Sequence, residues 1–357
     1  MADPGPMRFS TFHLFHRFEQ QSVREVYDHH VALAELAEEV GFDGIWVTEH
    51  HFRDYGTVPS LGTMLGYLAA RTERLRLGSG VYVLPLHDPI QVAEETAQLD
   101  VLSGGRLEFG VGRGYQSIEF DGFGIDLAEA RDRFDESLDV IRGLWTEPRF
   151  SYEGKYYQVG DVELVPRPVQ RPHPPIHVAA VSPETVELYA ARGLPILADP
   201  AAPFKRVARA AETWRRTAAE AGHAVDGAEL VVARSVYVAP TVAAARADQE
   251  RFERLFDRGR IFNSQSAPVD SRTGEFAKGF EYWQDRYLKG GDVGTDFRWD
   301  QLEVIGDPDR VIGQIAMLRE FGFSHLMCDF GSTRPIPFGE LKKTMTFFAD
   351  EVMPAFR

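Results

Sequence analysis

The side chains best suited to chemistry lie in four short stretches of this chain. Gly112-Arg113-Gly114 follows the apolar run 107–111, and glycine on both sides lets the backbone take positive φ and approach a bound group closely. The arginine between them offers a rigid fork of donors that suits a phosphate. A solvated arginine in a glycine-rich turn would look the same. Glu49-His50-His51 sets two imidazoles, which titrate near neutrality, beside a carboxylate, a set able to relay protons. If the preceding strand continues, the two rings point to opposite sides, so one can be a structural histidine. Adjacent residues seldom converge on one ion, and no nearby Asp, Cys or His spacing completes a site; no metal is expected. Val181-Ser182 opens a run containing Thr185, where amides and hydroxyls would face an anion at a helix N-terminus. Ser182-Pro183 is equally an N-cap followed by Pro at the first helical position. Gly80 stands inside an apolar run, leaving room for a flat ligand or an unusual peptide bond, or only relieving crowding. His13 and His16 have no partner evident in sequence and read as pocket wall or surface.

These stretches matter only if they meet, and the pattern of elements says where. Short apolar runs at 7–15, 44–47, 75–84, 107–111, 176–180, 195–197, 230–238 and 324–330 read as strands. Helical spacing at 23–40, 59–71, 89–102, 127–145, 183–192, 203–221, 242–259, 307–321 and 341–352 fills the intervals. Strand-then-helix units in series imply a parallel sheet with right-handed crossovers. Eight of them fit a (β/α)8 TIM barrel of class α/β, expected as one domain over 1–357, with function at the carboxyl ends of the strands. Two insertions interrupt the rhythm. Residues 146–175, after the fourth helix, hold a hairpin and then five prolines. Residues 261–300, before the last strand, are rich in Gly, Ser and Asp but carry Phe262, Phe276, Phe280, Tyr282, Trp283, Tyr287, Phe297 and Trp299. Irregular stretches of that length are usually functional or disordered, and the aromatics favour a lid over a pocket.

Composition narrows the class. A net charge of −15, from 39 Lys+Arg against 54 Asp+Glu, repels nucleic acid and anionic membrane surfaces. The single cysteine, Cys328, allows no internal disulfide. No apolar run reaches membrane-spanning length, and the N-terminus lacks the regions of a signal peptide. A soluble, acidic, cytoplasmic protein is expected. Gly62 and Gly66, four apart on one helix, suit a tight helix–helix dimer interface.

The order and spacing of Glu49-His50-His51-Phe52, 78–85, 105–124, 178–195 and Val352-Met353-Pro354 resemble those of the α subunit of bacterial luciferase, the flavin-dependent alkanal monooxygenase. The resemblance runs nearly end to end, including Leu288-Lys289-Gly290 at the tail of the long insertion. It implies a two-component monooxygenase that takes reduced FMN from a separate reductase and inserts one oxygen atom of O2, through a flavin hydroperoxide, into a small, largely apolar substrate. By position, Arg113 with Gly114, Ala180, Val181, Ser182 and Thr185 would hold the flavin phosphate. Glu49 would belong to the cofactor site, and Gly80-Val81 would form a non-prolyl cis peptide beneath the flavin ring. His50 would act as general base or hydrogen-bond partner, while Phe12, His51 and Tyr115 would wall the substrate pocket. The resemblance also makes 261–300 a loop closing over the flavin. Gly112 stands where luciferase has a reactive cysteine, and Pro200 lies near a luciferase tryptophan. Both departures bear on the aldehyde substrate and on light emission, and neither touches the flavin site. Related barrels that use a deazaflavin for hydride transfer, and a non-catalytic flavin-binding protein, remain as alternatives.

Overall fold

The computed structural model of the chain describes residues 5–18, 21–255, 274–276, 295–331 and 334–357. Its strands are β1 (Arg8–His13), β2 (Gly44–Val47), β3 (Arg76–Ser79), β4 (Tyr82–Val83), β5 (Leu107–Gly112), β6 (Phe150–Glu153), β7 (Gln158–Val162), β8 (Ile176–Ala180), β9 (Ile196–Ala198), β10 (Val231–Val238), β11 (Val304–Gly306) and β12 (His325–Asp329). Its helices are α1 (Val23–Glu39), α2 (Leu61–Arg71), α3 (Pro89–Leu102), α4 (Ser117–Phe123), α5 (Ala130–Thr146), α6 (Pro183–Ala191), α7 (Phe204–Glu220), α8 (Val242–Leu255), α9 (Thr295–Gln301), α10 (Pro308–Glu320) and α11 (Phe338–Glu351). Strands β1, β2, β3, β5, β8, β9, β10 and β12 pair in parallel around a ring, closed by β12 on β1 and β9 on β10. The expected (β/α)8 barrel is therefore the fold. The helices start where the sequence supplies caps: Ser22 with Glu25 forms a capping box for α1, and Asp88-Pro89 and Asp307-Pro308 open α3 and α10.

Alternation along the strands sorts side chains between two cores. Phe9 faces outward, its ring 5.6 Å from Phe348 and 5.8 Å from Phe356, within the large apolar layer between strands and helices. Inward, Trp46 fills the barrel axis. A Cβ on Gly78 would fall 2.2 Å from its indole and one on Gly110 2.8 Å from it, so the glycines on the neighbouring strands make the space that the ring occupies. The His177 and His325 rings meet Trp46 edge-on at 5.5 and 5.9 Å.

Nearer the amino ends of the strands the interior is ionic. Arg8 donates to Glu108 at 2.7 Å and to both Glu229 oxygens at 2.7 and 2.8 Å, and Arg76 donates to Glu108 as well. His325 spans Glu229 at 2.5 Å and Ser10 at 2.7 Å. Glu108→Ala removes the shared acceptor of two guanidinium groups, and unpairing buried charges costs about 3–5 kcal/mol. Urea denaturation of the variant should show a loss of that size. Burial raises the Glu229 carboxyl, but the His325 hydrogen bond and charge outweigh it and hold the group at about 2, against an ordinary 4.5. Because the folded value is depressed, this contribution is complete above pH 4.5 and is lost as pH falls through the folded value.

Several elements differ from the sequence reading. The run 75–84 is not one strand: β3 ends at Ser79, a cis peptide joins Gly80 to Val81, and β4 resumes at Tyr82. Helix α4 was not expected, because seven residues ending in Gly122-Phe123 and capped by Gly124 carry no apolar period. Strand β11 adds a third pairing to β10 outside the ring. The end of the long insertion is helical in α9, and Trp299 is a core residue there, packed with Tyr237, Phe252 and Ile305. Arg246 and Arg310 lie over its ring at 4.1 and 4.9 Å. The rest of the proposed lid, 261–273 and 277–294, lies outside the described residues, as does the end of the helix expected over 242–259. The hairpin of the first insertion is present as β6 and β7. On α2, a Cβ on Gly62 would fall 1.9 Å from Glu95 of α3, so that glycine serves packing within the chain, while Gly66 has nothing within 4 Å.

Candidate active site

Strands β5 and β8 are paired with Val111 opposite Val178, so the segments that follow them leave the barrel side by side. Gly112 lies against β4 so closely that a Cβ would be 2.5 Å from Val81, and one on Gly114 would be 2.5 Å from Val83. Gly114 also has φ of 75°, a conformation that favours glycine. Both glycines of Gly112-Arg113-Gly114 are thus required by geometry. Across the strand gap, Ser182 caps α6, its hydroxyl 3.3 Å from the Thr185 amide and 3.0 Å from the Thr185 hydroxyl. Arg131, on α5, donates to that Thr185 hydroxyl at 3.3 Å, and Arg206 donates to the Val181 carbonyl at 3.3 Å. No motif marks Arg131 or Arg206 in the sequence, since each is one arginine among many on an amphipathic helix. The two guanidinium groups give the rim a cationic corner at the positive end of α6, which suits a phosphate or carboxylate.

His50 follows β2, and its Nδ1 lies 2.9 Å from a carboxylate oxygen of Glu119 on α4. The same oxygen accepts the His51 amide at 3.1 Å. The Gln116 amide nitrogen also approaches His50 Nδ1, at 3.0 Å, because Gln116 turns its carbonyl oxygen to accept from Arg53 at 2.8 Å. Glu119 and Gln116 thus favour opposite tautomers. A hydrogen bond to a charged acceptor is about twice as strong as a neutral one, which favours the tautomer that donates from Nδ1 to Glu119 and leaves Nε2 able to accept. Glu119 escaped the sequence reading because it lies 69 residues away on an element that was itself missed.

Glu49 and His51 are buried and bonded to one another rather than lining open space. Glu49 Oε1 accepts from His51 at 2.9 Å and from His87 at 2.8 Å, and its Oε2 accepts the Val83 amide at 3.2 Å. Burial alone would raise this carboxyl, yet the two histidine hydrogen bonds hold it at about 2. The carboxylate therefore ties the end of β2 to the segment after the cis peptide. Phe12 points into the barrel beside that peptide, 3.2 Å from where a Gly80 Cβ would be. Tyr115 packs with Val83, Leu86, Phe120 and Leu127, joined by Phe276 from the long insertion.

His13 and His30 meet in the layer outside β1, with their Nδ1 atoms 2.8 Å apart, and His13 Nε2 reaches the Thr11 hydroxyl at 2.9 Å. Burial pushes His13 down to about 3, so it is neutral. A cavity of about 290 Å³ lies beside them, lined by Phe12, His16, His30, Phe330, Phe338 and Met345 among others. His13 and His16 are thus pocket wall. Among the described residues, no helix is long and apolar enough to cross a membrane.

Known proteins resemble this chain in sequence and in fold. The oxygenase component of flavin-dependent trigonelline monooxygenase from Acinetobacter baylyi is 27% identical over 98% of this chain and 96% of its own. The alkanal monooxygenase alpha chain of Photorhabdus luminescens is 28% identical over 98% and 96%. An uncharacterized protein of Sinorhizobium fredii is 40% identical over 181 residues, which is 50% of this chain and 52% of that one. Among solved structures, the monooxygenase RslO1 of Streptomyces bottropensis superposes with a TM-score of 0.80 at 28% identity, covering 98% of this chain and all of that one. The oxygenating constituent of 3,6-diketocamphane monooxygenase of Pseudomonas putida, in complex with FMN, has a TM-score of 0.77 at 21% identity over 98% and 99%. An F420-dependent secondary alcohol dehydrogenase reaches 0.75 at 19% identity over 99% of both chains. The last two likenesses show the fold alone. The family profile described as luciferase-like monooxygenase matches residues 7–325. The chain belongs to the luciferase-like monooxygenase family.

Proposed function

We propose that the protein is the oxygenase component of a two-component system, using reduced FMN and O2 to insert one oxygen atom into a small, largely apolar substrate. The observation that carries this reading is that the carboxyl rim brings together Arg131 at the capped N-terminus of α6, the His50 imidazole hydrogen-bonded to Glu119, and close-packed glycine backbone between their strands. Gly112 and Gly114, where a Cβ would clash, and the capped N-terminus of α6 beside Arg131 fit the phosphate end of such a cofactor. Bound reduced FMN would supply the electrons that activate dioxygen. Arg113, Gly114, Ala180, Val181, Ser182 and Thr185 bind and orient its phosphate. The Gly80-Val81 peptide and Phe12 offer a flat apolar surface for its ring. His50 holds a proton or accepts one at Nε2 while Glu119 keeps the ring in place. Tyr115, packed with Val83, Leu86, Phe120 and Leu127, offers an apolar wall that excludes water and favours an apolar substrate. A cytoplasmic reductase supplies the reduced cofactor.

The full-length flavin-dependent relatives favour FMN over a deazaflavin. Anaerobic titration with each reduced cofactor tests this, followed by mixing with oxygenated buffer. FMN should bind at least tenfold more tightly than the deazaflavin (about 1.4 kcal/mol), and peroxide release should fall when a substrate is present. Preference for the deazaflavin would make the enzyme a hydride-transfer oxidoreductase, and FMN bound without oxygen reactivity would make it a storage protein. We also propose a homodimer through α2, where Gly66 is open and Tyr67 is half-exposed. Light scattering at micromolar concentration should give twice the chain mass, and a monomer would end the idea.

A further inference from the structure

Glu49 is buried to 2% exposure, and among the described residues its ion-pair partners are His51 and His87, with no lysine or arginine paired to it. A buried carboxylate without a permanent counter-charge is costly. We propose that Glu49, His51 and His87 bind a first-row divalent cation, zinc foremost, at the carboxyl rim of β2. One donor atom from each residue lies within 4.8 Å of the others, with the two Nε2 atoms 2.9 and 2.8 Å from the carboxylate oxygen. Tetrahedral zinc with bonds near 2.0–2.1 Å sets its ligand atoms roughly 3.3 Å apart, so small side-chain shifts accommodate the ion. Two imidazoles and one carboxylate select zinc, cobalt, nickel or copper over magnesium and calcium, which want oxygen. Binding needs each ring neutral with Nε2 unprotonated, so any proton held there moves to Nδ1 or is released to solvent. The His87 side chain is 24% exposed, which opens the fourth position to water on that side, as in three-ligand zinc sites.

Another cluster, Glu108, His177 and Glu229, has comparable spacing but does not support a cation. Arg8 binds both of its carboxylates and Arg76 binds Glu108, so an added ion would meet charge already balanced and be repelled. At Glu49 nothing opposes it. The spacing that argued against a metal was that of adjacent His50 and His51, and these do diverge. The second imidazole instead comes from His87, beyond β4.

This inference stands apart from the flavin reading. Metal-free full-length protein is titrated with Co²⁺, followed by visible absorption, and with Zn²⁺, followed by calorimetry. The expected result is one ion per chain, micromolar or tighter, with the intense absorption of four-coordinate cobalt. His87→Ala, at the partly exposed position, should weaken zinc by more than the roughly 10–100-fold that loss of an outer partner costs. Glu49→Gln should weaken it similarly, and circular dichroism checks that each variant is folded. No four-coordinate cobalt spectrum, or zinc binding unchanged in folded His87→Ala, overturns the site.

Discussion

His50→Ala should lower the rate of product formation by about 10²–10⁴-fold, the usual contribution of a positioned acid–base group, while affinity for reduced FMN stays nearly unchanged. In the proposed assignment His50 serves the flavin ring rather than the phosphate, so its loss removes proton handling and not the phosphate contacts. Stopped-flow single-turnover measurement separates the two quantities, and parallel loss of binding and rate would refute the assignment. Glu119→Gln supplies the companion test for a positioning residue. An amide can still accept the Nδ1 proton but only as a neutral acceptor, half as strong, and its nitrogen can instead favour the other tautomer. The variant should lower kcat with KM little changed. A Glu119→Asp variant should recover part of the rate if the carboxylate reaches the ring, and a purely structural role would give equal losses in stability and none in kcat for folded enzyme.

Arg113→Ala should weaken FMN by about 10²-fold, since hydrogen bonds to a charged group contribute roughly 1.5–3 kcal/mol. Arg113→Lys keeps the charge but not the fork and should fall between. Riboflavin, which lacks the phosphate, distinguishes this role from a structural one: its affinity should be the same for wild type and Arg113→Ala. An equal loss for both ligands would mean that the arginine shapes the pocket instead. Wild-type FMN binding should also weaken with added salt, and the slope should flatten in Arg113→Ala, because the screened charge has gone.

The barrel was legible because its signal is repeated and local. Each strand is a short apolar run stopped by glycine or by a cap such as Ser182, Asp88 or Asp307, and alternation with helical spacing dictates parallel pairing. The Ser182 cap and the close-packed glycines at 80, 112 and 114 were legible because glycine and helix-capping chemistry are written in adjacent residues. What escaped is what depends on distance in sequence. Glu119 meets His50, Arg131 meets Thr185 and His87 meets Glu49 only after folding, and none of these residues differs locally from a solvated side chain. Trp299 was misread for the converse reason. An aromatic in a Gly- and Asp-rich stretch suggests a lid, whereas its burial is set by Arg246, Arg310 and the strand β11, which is only three residues long.

Trp46 separates the charged interior of the barrel from its rim. With Gly78 and Gly110 moulded to its indole, the axis is plugged one layer below the Gly80-Val81 peptide, and nothing large can descend past it. Ligand chemistry is thereby confined to segments that leave the strands, while the scaffold beneath is insulated from whatever those segments become. A designer, or natural selection, can exchange the rim loops for a new substrate without renegotiating the barrel, and a change at Gly78 or Gly110 would instead spoil every such variant at once.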